Sequence, residues 1–204
     1  NNYYVFVQDE WQFAQNWQLV SGIRFDDYSD FGNAVNPRAA LIWATTDTIT
    51  TKLLYGRAFR APSLNELYVA NNPVTMGNTD LGAETIDTFE IAVSHQLNAQ
   101  LFYGINLFYY EIDDLITAVA VTGPVSQEYR NSEERTGHGG EIELSYSPVD
   151  EVKLTANYAY QKSTDERNNS GVGEAPNHQL YGRMEWSVSP IWKLATQVNW
   201  VGEQ

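Results

Sequence analysis

The sequence predicts an all-β protein, an antiparallel transmembrane β-barrel to which this chain contributes about ten strands. Three observations predict it: alternate residues are apolar over long segments, aromatic residues are frequent in a polar chain, and tight connections alternate with long ones. Aromatic residues make up 13% of a chain whose mean hydropathy is -0.41. A barrel wall has this composition because lipid-facing apolar residues alternate with lumen-facing polar residues and cancel in the average.

The alternation is clearest near the end of the chain. One face of the last predicted strand is mainly apolar and the other is mainly polar: Trp192, Leu194, Thr196, Val198 and Trp200 against Lys193, Ala195, Gln197 and Asn199. The two tryptophans lie about 26 Å apart along a strand that rises roughly 3.3 Å per residue. With a strand tilt of about 40°, they span roughly 20 Å of membrane height, close to the separation of the two aromatic girdles of such a barrel.

The same period of two predicts the other strands. The ten predicted strands cover residues 3–13, 17–28, 35–45, 48–60, 84–96, 99–112, 137–147, 151–163, 177–189 and 191–203. They are longer than the roughly 5–6 residues typical of soluble sheets, and they are long enough to cross a bilayer when tilted. Arg57 falls on the nominal outer face of the fourth strand, which leaves the phase of that strand open.

The connections between these strands alternate in length. Tight connections are predicted at residues 14–16, 46–47, 97–98, 148–150 and 190, and long ones at 29–34, 61–83, 113–136 and 164–176. Short periplasmic turns and long extracellular loops alternate in this way in outer-membrane barrels. A soluble β-sandwich or propeller is the alternative, but its long loops have no reason to fall on one side.

Composition excludes several classes of function. The chain has no cysteine, so disulfides and thiolate metal sites are excluded. Its net charge of -14 makes nucleic acid an unsuitable partner, because phosphate binding requires a basic surface. His95, His138 and His178 are far apart in sequence and are expected to be solvated or to line the lumen. No metal site, cofactor or catalytic group is therefore predicted, and the chain is not expected to be an enzyme.

Charged and amide side chains fall mainly on the face opposite the apolar stripe. A charge facing lipid near the membrane midplane costs roughly 2–4 kcal/mol, so these side chains are expected to line the lumen. They are Arg24, Arg38, Lys52, Arg60, Glu90, Asn106, Glu141, Glu143, Lys153 and Arg183.

Several segments resemble motifs of TonB-dependent outer-membrane receptors. The segment 55–63, YGRAFRAPS, resembles a signature that ends a strand and opens a long loop. Segments 6–11, 36–38 and 78–85 resemble three further motifs in the same order, and 106–116 resembles the strand that follows. Thr79 and the Gly82-Ala83 pair depart from the family pattern, which has proline and lysine-proline there. These departures are expected to loosen the loop, and the resemblance covers residues 6–116.

The resemblance implies the rest of the molecule. Such receptors contain an N-terminal plug inside a barrel of roughly 22 strands, so residues 1–204 are expected to form part of the barrel domain without the plug. The implied location is the outer membrane of a Gram-negative bacterium. The implied partners are the plug, TonB acting through the plug, membrane lipid, and a small-molecule or metal-chelate ligand. The implied function is TonB-driven import of a scarce solute of the ferric siderophore, haem or cobalamin class.

The loop 61–83, with the arginine that precedes it, contains the predicted ligand contacts. They are Arg60, Asn65, Glu66, Tyr68, Asn71 and Asn72. This mixture of amide, charged and aromatic groups can recognise a chelate or a corrinoid, although the loop could equally serve only to cover the barrel mouth.

Two other functions remain open at this stage. A passive, porin-like barrel has the same strand pattern but leaves the receptor-like motifs unexplained. A ten-stranded outer-membrane protease requires acidic groups and a histidine that converge at the rim, and Asp113, Asp114 and His138 lie in one predicted loop.

Overall fold

The computed structural model describes residues 1–123, 125–167, 170–172 and 175–202. Ten long strands lie within this described part: β1 Asn2–Ala14, β2 Trp17–Tyr28, β3 Gly32–Ala44, β4 Ile49–Arg60, β6 Glu84–Gln96, β7 Leu101–Ala120, β8 Gln127–Val149, β9 Val152–Asp165, β11 His178–Ser189 and β12 Trp192–Val201. Three short elements join them: α1 Leu64–Tyr68, β5 Thr75–Met76 and β10 Ser170–Gly171. In the described residues, no helix is long and apolar enough to cross a membrane.

The ten long strands form one continuous antiparallel sheet. Their order is β1-β2-β3-β4-β6-β7-β8-β9-β11-β12, with β1 and β12 at the two ends. Each long strand pairs in antiparallel fashion with the next long strand along the chain, whether a tight turn or a longer connection joins them. The predicted strands and their up-and-down order are confirmed.

The register separates a polar face from an apolar face. Residues opposite each other in neighbouring strands share a face, and one polar row reads Lys52, Ala92, Asn106, Glu141, Ala159 and Gln179. The adjacent row on the opposite face reads Leu53, Ile91, Leu107, Gly140 and Tyr160. The polar row lines a hollow on the inner side of the sheet. All ten side chains expected in the lumen lie on this polar face.

An aromatic row marks the outer face near the long-loop end. Tyr55, Phe89 and Tyr109 are successive partners across β4, β6 and β7, and the rings of Tyr55 and Phe89 are 5.0 Å apart. Arg57 lies on the same face, one position beyond this row, where Asp87 binds it at 2.6 Å. The question of the phase of β4 is thereby answered: Arg57 points outward but lies past the aromatic girdle.

The three histidines do not line the lumen, so that part of the prediction is wrong. His95 Nδ1 lies 2.8 Å from the Tyr103 hydroxyl, and His178 Nδ1 lies 2.7 Å from the Tyr158 hydroxyl. His138 is opposite Tyr109, and all three histidines share the outer face with these tyrosines. Histidine and tyrosine both have an apolar ring with a polar tip, which suits the membrane surface.

The connections differ from the prediction at the long-loop end. The link predicted at 29–34 is a turn of residues 29–31, followed by Gly32 at φ 97°. The loop predicted at 113–136 is wrong, because β7 and β8 continue through most of it. A bulge between Ile112 and Leu115, with Asp114 at φ 57°, interrupts the alternation of apolar and polar residues there. The period of two therefore does not predict that the strand continues beyond the bulge. β9 extends into the predicted loop 164–176, of which residues 168, 169, 173 and 174 lie outside the described part.

Candidate functional site at the mouth of the barrel

Residues 61–83 fold into a compact unit, which we call the cap. The cap begins at a capping box: the Ser63 hydroxyl accepts the Glu66 backbone N–H at 3.2 Å, and the Glu66 carboxylate accepts the Ser63 backbone N–H at 2.7 Å. This reciprocal pair satisfies two backbone donors that a helix start leaves free. The five-residue helix α1 therefore begins at Leu64 because of two side chains placed three residues apart.

The underside of the cap packs on the hairpin formed by β7 and β8. Leu67 and Leu81 from the cap and Ile116 from β7 are buried together, and Tyr129 from β8 packs against them. These residues form a buried hydrophobic cluster between the cap and the hairpin. The cap is thus held by its own small core.

Polar contacts fix the cap in one register on the hairpin. β5 pairs with the start of β8 in parallel, and Asn78 donates to the Tyr129 carbonyl at 3.1 Å. The Asn131 amide accepts the Gly82 N–H at 2.9 Å and donates to the Asp114 carbonyl at 2.7 Å. One amide side chain therefore joins the cap to both strands of the hairpin, at the bulge in β7.

Gly77 allows the cap chain to pass directly over α1. Its N–H donates to the Val69 carbonyl at 2.7 Å. A Cβ at this position would lie 2.7 Å from Val69 N and 2.8 Å from the Leu67 carbonyl carbon. Both atoms belong to the backbone and cannot move aside, so the close approach requires glycine.

Arg60 joins the barrel wall to the cap. Its guanidinium forms an ion pair with Glu84, at the start of β6, and contacts both carboxylate oxygens of Glu66 at 3.1 Å. Glu84 is only 6% exposed and also accepts the Ile116 backbone N–H at 2.7 Å. We call Arg60, Glu66 and Glu84 the clasp, because they connect the end of β4, α1 and the start of β6.

The charges of the clasp stabilise one another. The Glu84 carboxylate, and after it Glu66, raises the pKa of Arg60 above its ordinary value. Burial opposes ionisation of Glu66, but hydrogen bonds from Arg60 and from the Ser63 backbone outweigh it, so the pKa of Glu66 lies below its ordinary value. The ionised forms of Arg60 and Glu66 therefore favour each other.

The predicted ligand contacts divide into two groups. Arg60 and Glu66 belong to the clasp, and the Asn72 side chain accepts the backbone N–H groups of Val74 and Thr75 at 2.8 and 3.2 Å. These three side chains hold the cap together. Asn65, Tyr68 and Asn71 are exposed, Tyr68 by 52%.

Sequence reasoning missed two residues that organise this site. Glu84 belongs to the segment 78–85 that resembles a receptor motif, but its partners Arg60 and Ile116 are 24 and 32 residues away. Asn131 falls in a segment that was predicted to be a loop. Glu84 could have been identified from the motif that contains it, whereas nothing in the sequence around Asn131 marks that residue.

Below the cap, two aromatic rings lie flat on the inner wall. Phe108 and Tyr110 project from β7 over Gly139 and Gly137 of β8, and their rings are nearly parallel at 12°. The Tyr110 hydroxyl reaches Ser163 of β9 at 2.5 Å. Because the glycines have no side chains, the rings can lie directly against the sheet.

Comparison with known proteins gives a consistent result. A family model described as TonB dependent receptor-like, beta-barrel, matches residues 1–204. The chain is 26% identical to the iron-regulated outer membrane virulence protein of Vibrio cholerae, over 98% of this chain and 33% of that protein. It is 31% identical to the vitamin B12 transporter BtuB of Vibrio cholerae, over 97% of this chain and 29% of that protein. The chain thus spans about a third of the length of the curated relatives it matches.

A solved structure has the same fold. A variant of the ferric enterobactin receptor of Pseudomonas aeruginosa, in complex with enterobactin, superimposes with a TM-score of 0.88 at 21% identity. The superposition covers 98% of this chain and 32% of the receptor. The sheet described above therefore has the curvature and strand order of one part of an outer-membrane receptor barrel.

Proposed function

Because this chain belongs to the TonB-dependent receptor-like β-barrel family, whose barrels lie in the Gram-negative outer membrane, we propose that the whole protein is an active import receptor. Its solute is a ferric siderophore, haem or cobalamin. The relatives support this class, since one is named a vitamin B12 transporter and one solved structure is a ferric enterobactin receptor. These two proteins are named a transporter and a receptor, and we propose that this protein, too, is not an enzyme.

The ordered cap is the observation that supports a binding role most strongly. A loop that only covered an opening would need neither a core nor a buried carboxylate, whereas a recognition surface must hold its side chains in place. We propose that Asn65, Tyr68 and Asn71 contact the solute. Arg60, Glu66 and Asn72 then act indirectly, by holding the cap in the shape that presents those three.

The polar inner face supports the proposed partners. Glu90, Glu141 and Glu143 lie on that face, and Asn106 donates to Glu90 at 2.9 Å. Carboxylates in this position can accept hydrogen bonds from a plug that fills the lumen. In this proposal, TonB acts on the plug from the inner side, and the cap and wall release the solute inward.

The rival functions receive less support. A passive barrel does not require a folded cap at its mouth. For a protease, Asp113 and His138 would have to converge, but Asp113 is opposite Thr85 and His138 is opposite Tyr109. Asp113 is itself on β7, and Tyr109, the β7 partner of His138, lies four residues before it, which is about 13 Å at 3.3 Å per residue. His138 also points to the outer face, away from the lumen.

Uptake by the full-length protein tests the proposal. Cells that express it are supplied with ⁵⁵Fe-labelled siderophores, haem and labelled vitamin B12, with and without TonB. We expect one of these solutes to accumulate only when TonB is present. The Tyr68→Ala variant should bind that solute more weakly, whereas Thr79→Ala, on an exposed part of the cap, should not. Uptake that persists without TonB contradicts active import.

A further inference from the structure

Lys162 is a cation on the lipid-facing side of the barrel wall. It lies opposite His138 of β8, and His138 is opposite Tyr109 of the outer aromatic row. The outward residues that precede it on β9 are Tyr158 and Tyr160, so Lys162 takes the next outward position beyond the last ring. Tyrosine rings on barrels and other membrane proteins lie at the level of the lipid headgroups. The ammonium group of Lys162 is therefore placed at the headgroups of the outer leaflet.

The protein supplies no counter-charge to this ammonium group. The side chains of Lys162 and His138 are exposed, and neither forms a hydrogen bond or ion pair within the part of the chain that the structure describes. Arg57 also faces outward beyond the aromatic row, but Asp87 on the neighbouring strand binds it at 2.6 Å. A basic side chain at a membrane surface attracts anionic headgroups. Lys162 is thus available to an anion that belongs to the membrane.

Polar ring atoms flank Lys162 on both neighbouring strands. His138 lies beside it on β8, and His178 of β11 lies opposite Tyr160. The rings of Tyr160 and His178 are 5.1 Å apart. Tyrosine hydroxyls and histidine ring nitrogens can donate to phosphate oxygens while the rings rest against acyl chains. We call Lys162, His138, Tyr160 and His178 the outer patch.

The wall below the outer patch is apolar. Ile142 of β8 and Leu180 of β11 lie on either side of Tyr158 in one row, and Ile142 is 50% exposed. This row is nearer the middle of the membrane than the outer patch, because it lies farther along the strands from the long loops. A lipid with its headgroup at the outer patch can therefore rest its acyl chains on these side chains.

Two carboxylates limit how far outward an anion can sit. Glu166 accepts a hydrogen bond from the hydroxyl of Thr136, the next outward residue of β8. Glu111 accepts the Tyr109 hydroxyl at 2.7 Å, and it lies on β7, two strands from Lys162, which is roughly 10 Å at about 4.8 Å per strand. Both carboxylates repel phosphate from the loop side. The favourable position for an anion is thus on the membrane side of Lys162.

We infer that the outer patch binds the phosphate group of a phosphorylated lipid of the outer leaflet, and that the Lys162 ammonium group is its charge partner. The inference concerns the lipid side of the wall and does not depend on which solute the receptor imports. The bound lipid contacts β8, β9 and β11 together, so it joins three neighbouring strands at the membrane surface.

Native mass spectrometry of the purified full-length receptor in detergent micelles tests this site. The probes are bisphosphorylated lipid A and the same lipid A after enzymatic removal of its phosphates, and the fraction of lipid-bound receptor gives each Kd. We expect the phosphorylated lipid to bind more tightly. Lys162→Gln should weaken its binding about fivefold, as for one basic side chain at an anionic membrane surface. Lys162→Arg should bind like the unmodified receptor, because it keeps the charge at the same position.

Lys153→Gln is the matched control. Lys153 lies on the same strand as Lys162, but it faces the lumen, opposite Glu185. Its replacement removes the same charge from the other face of β9 and should leave both Kd values unchanged. Glu166→Gln should strengthen binding of the phosphorylated lipid, since it removes a negative charge near the outer patch. An excess of inorganic phosphate should not displace the lipid, because it has no acyl chains to rest on the wall.

Several results overturn the inference. Equal binding of the phosphorylated and dephosphorylated lipids does so, as does an unchanged Kd in Lys162→Gln or an equal loss in Lys153→Gln. Weaker binding in Glu166→Gln means that the lipid is held through the carboxylates, which also contradicts it. A receptor dimer that Lys162→Gln dissociates, with no effect of lipid, means that a second copy covers this face. If Lys162→Gln does not fold, His138→Phe keeps a ring but removes its nitrogens and should weaken binding of the same lipid.

Discussion

Glu84 shows how one buried carboxylate can organise three distant segments. It accepts from Arg60, at the end of β4, and from the Ile116 backbone in β7, and it begins β6 itself. An ionised carboxylate with this little exposure is stable only when its oxygens are paired. The segment 78–85 therefore has a physical reason to keep a glutamate at this position, even though the residues around it depart from the family pattern.

Replacing Glu84 should loosen the cap without unfolding the barrel. Glu84→Gln retains an acceptor for the Ile116 N–H but loses the ion pair with Arg60, which should cost the cap roughly 1–3 kcal/mol. Hydrogen exchange of the Leu67 and Val69 amides, measured by mass spectrometry on the full-length receptor, should be faster. The control is Glu185→Gln, which removes an exposed lumen carboxylate remote from the cap. Unchanged exchange in Glu84→Gln would show that the cap does not depend on the clasp.

Acid should loosen the same contact through Glu66. The pKa of Glu66 is lower in the folded cap than in an unfolded loop, so its ionised form stabilises the cap. That stabilisation is complete above the ordinary pKa of 4.5 and disappears as the pH falls through the folded-state pKa, which lies below 4.5. Proteolysis of the cap should therefore accelerate in this acidic range, and less so in Glu66→Gln, which lacks the titrating group. A Glu66→Gln variant with the same pH profile as the unmodified receptor contradicts this assignment.

At the scale of elements, the strands were predictable and their extensions were not. A period of two identified the strands because one face meets lipid over the whole bilayer, so the pattern continues for ten or more residues. β7 and β8 extend beyond the membrane, where neither face needs to be apolar, and the bulge at Asp114 shifts the alternation. The end of the β3–β4 pairing at Arg38, beside Pro37, was equally hidden, because the end of a ladder depends on the partner strand and not on local sequence.

The pairing of Phe108 with Gly139 should be sensitive to a single methyl group. A Cβ at Gly139 would overlap the Phe108 ring and the Tyr160 backbone oxygen, so Gly139→Ala should reduce stability by about 1–3 kcal/mol, as overpacking does. Gly182 is the control, because a Cβ there meets no atom within 4 Å. The thermal midpoint of the heat-modifiable band on gels should fall for Gly139→Ala and not for Gly182→Ala. Equal midpoints would contradict the close packing of ring on wall.

At the scale of the whole molecule, the two faces of the sheet differ in polarity. Neighbouring residues of β7 belong to opposite environments: Leu107 is in the apolar outer row, and Asn106 is in the polar inner row beside Glu90. The sequence predicted this division for every charged residue assigned to the lumen. It could not predict the cap, because the core of Leu67, Leu81 and Ile116 joins residues from two segments that show no common pattern.

Because the two faces of the sheet differ in environment, an introduced charge should be tolerated at one residue and destabilising at the next. Leu107→Arg places a charge toward lipid and should cost roughly 2–4 kcal/mol of folding free energy. Asn106→Arg places the same charge in the lumen, where Glu90 can pair with it, and should cost far less. Urea titration of the full-length receptor in lipid vesicles measures both. Similar losses in the two variants would contradict the assignment of faces.

The docking of the cap on the β7–β8 hairpin has a consequence for the thermodynamics of capture. A loop that orders itself only around its solute loses conformational entropy at that moment, and affinity falls accordingly. Here Leu67, Leu81 and the Asn131 bridge have already fixed the loop before any solute arrives. In the proposed binding role, the cap therefore acts as a rigid template. Any closing motion must take the hairpin with it, because the cap cannot move alone without exposing its core to water.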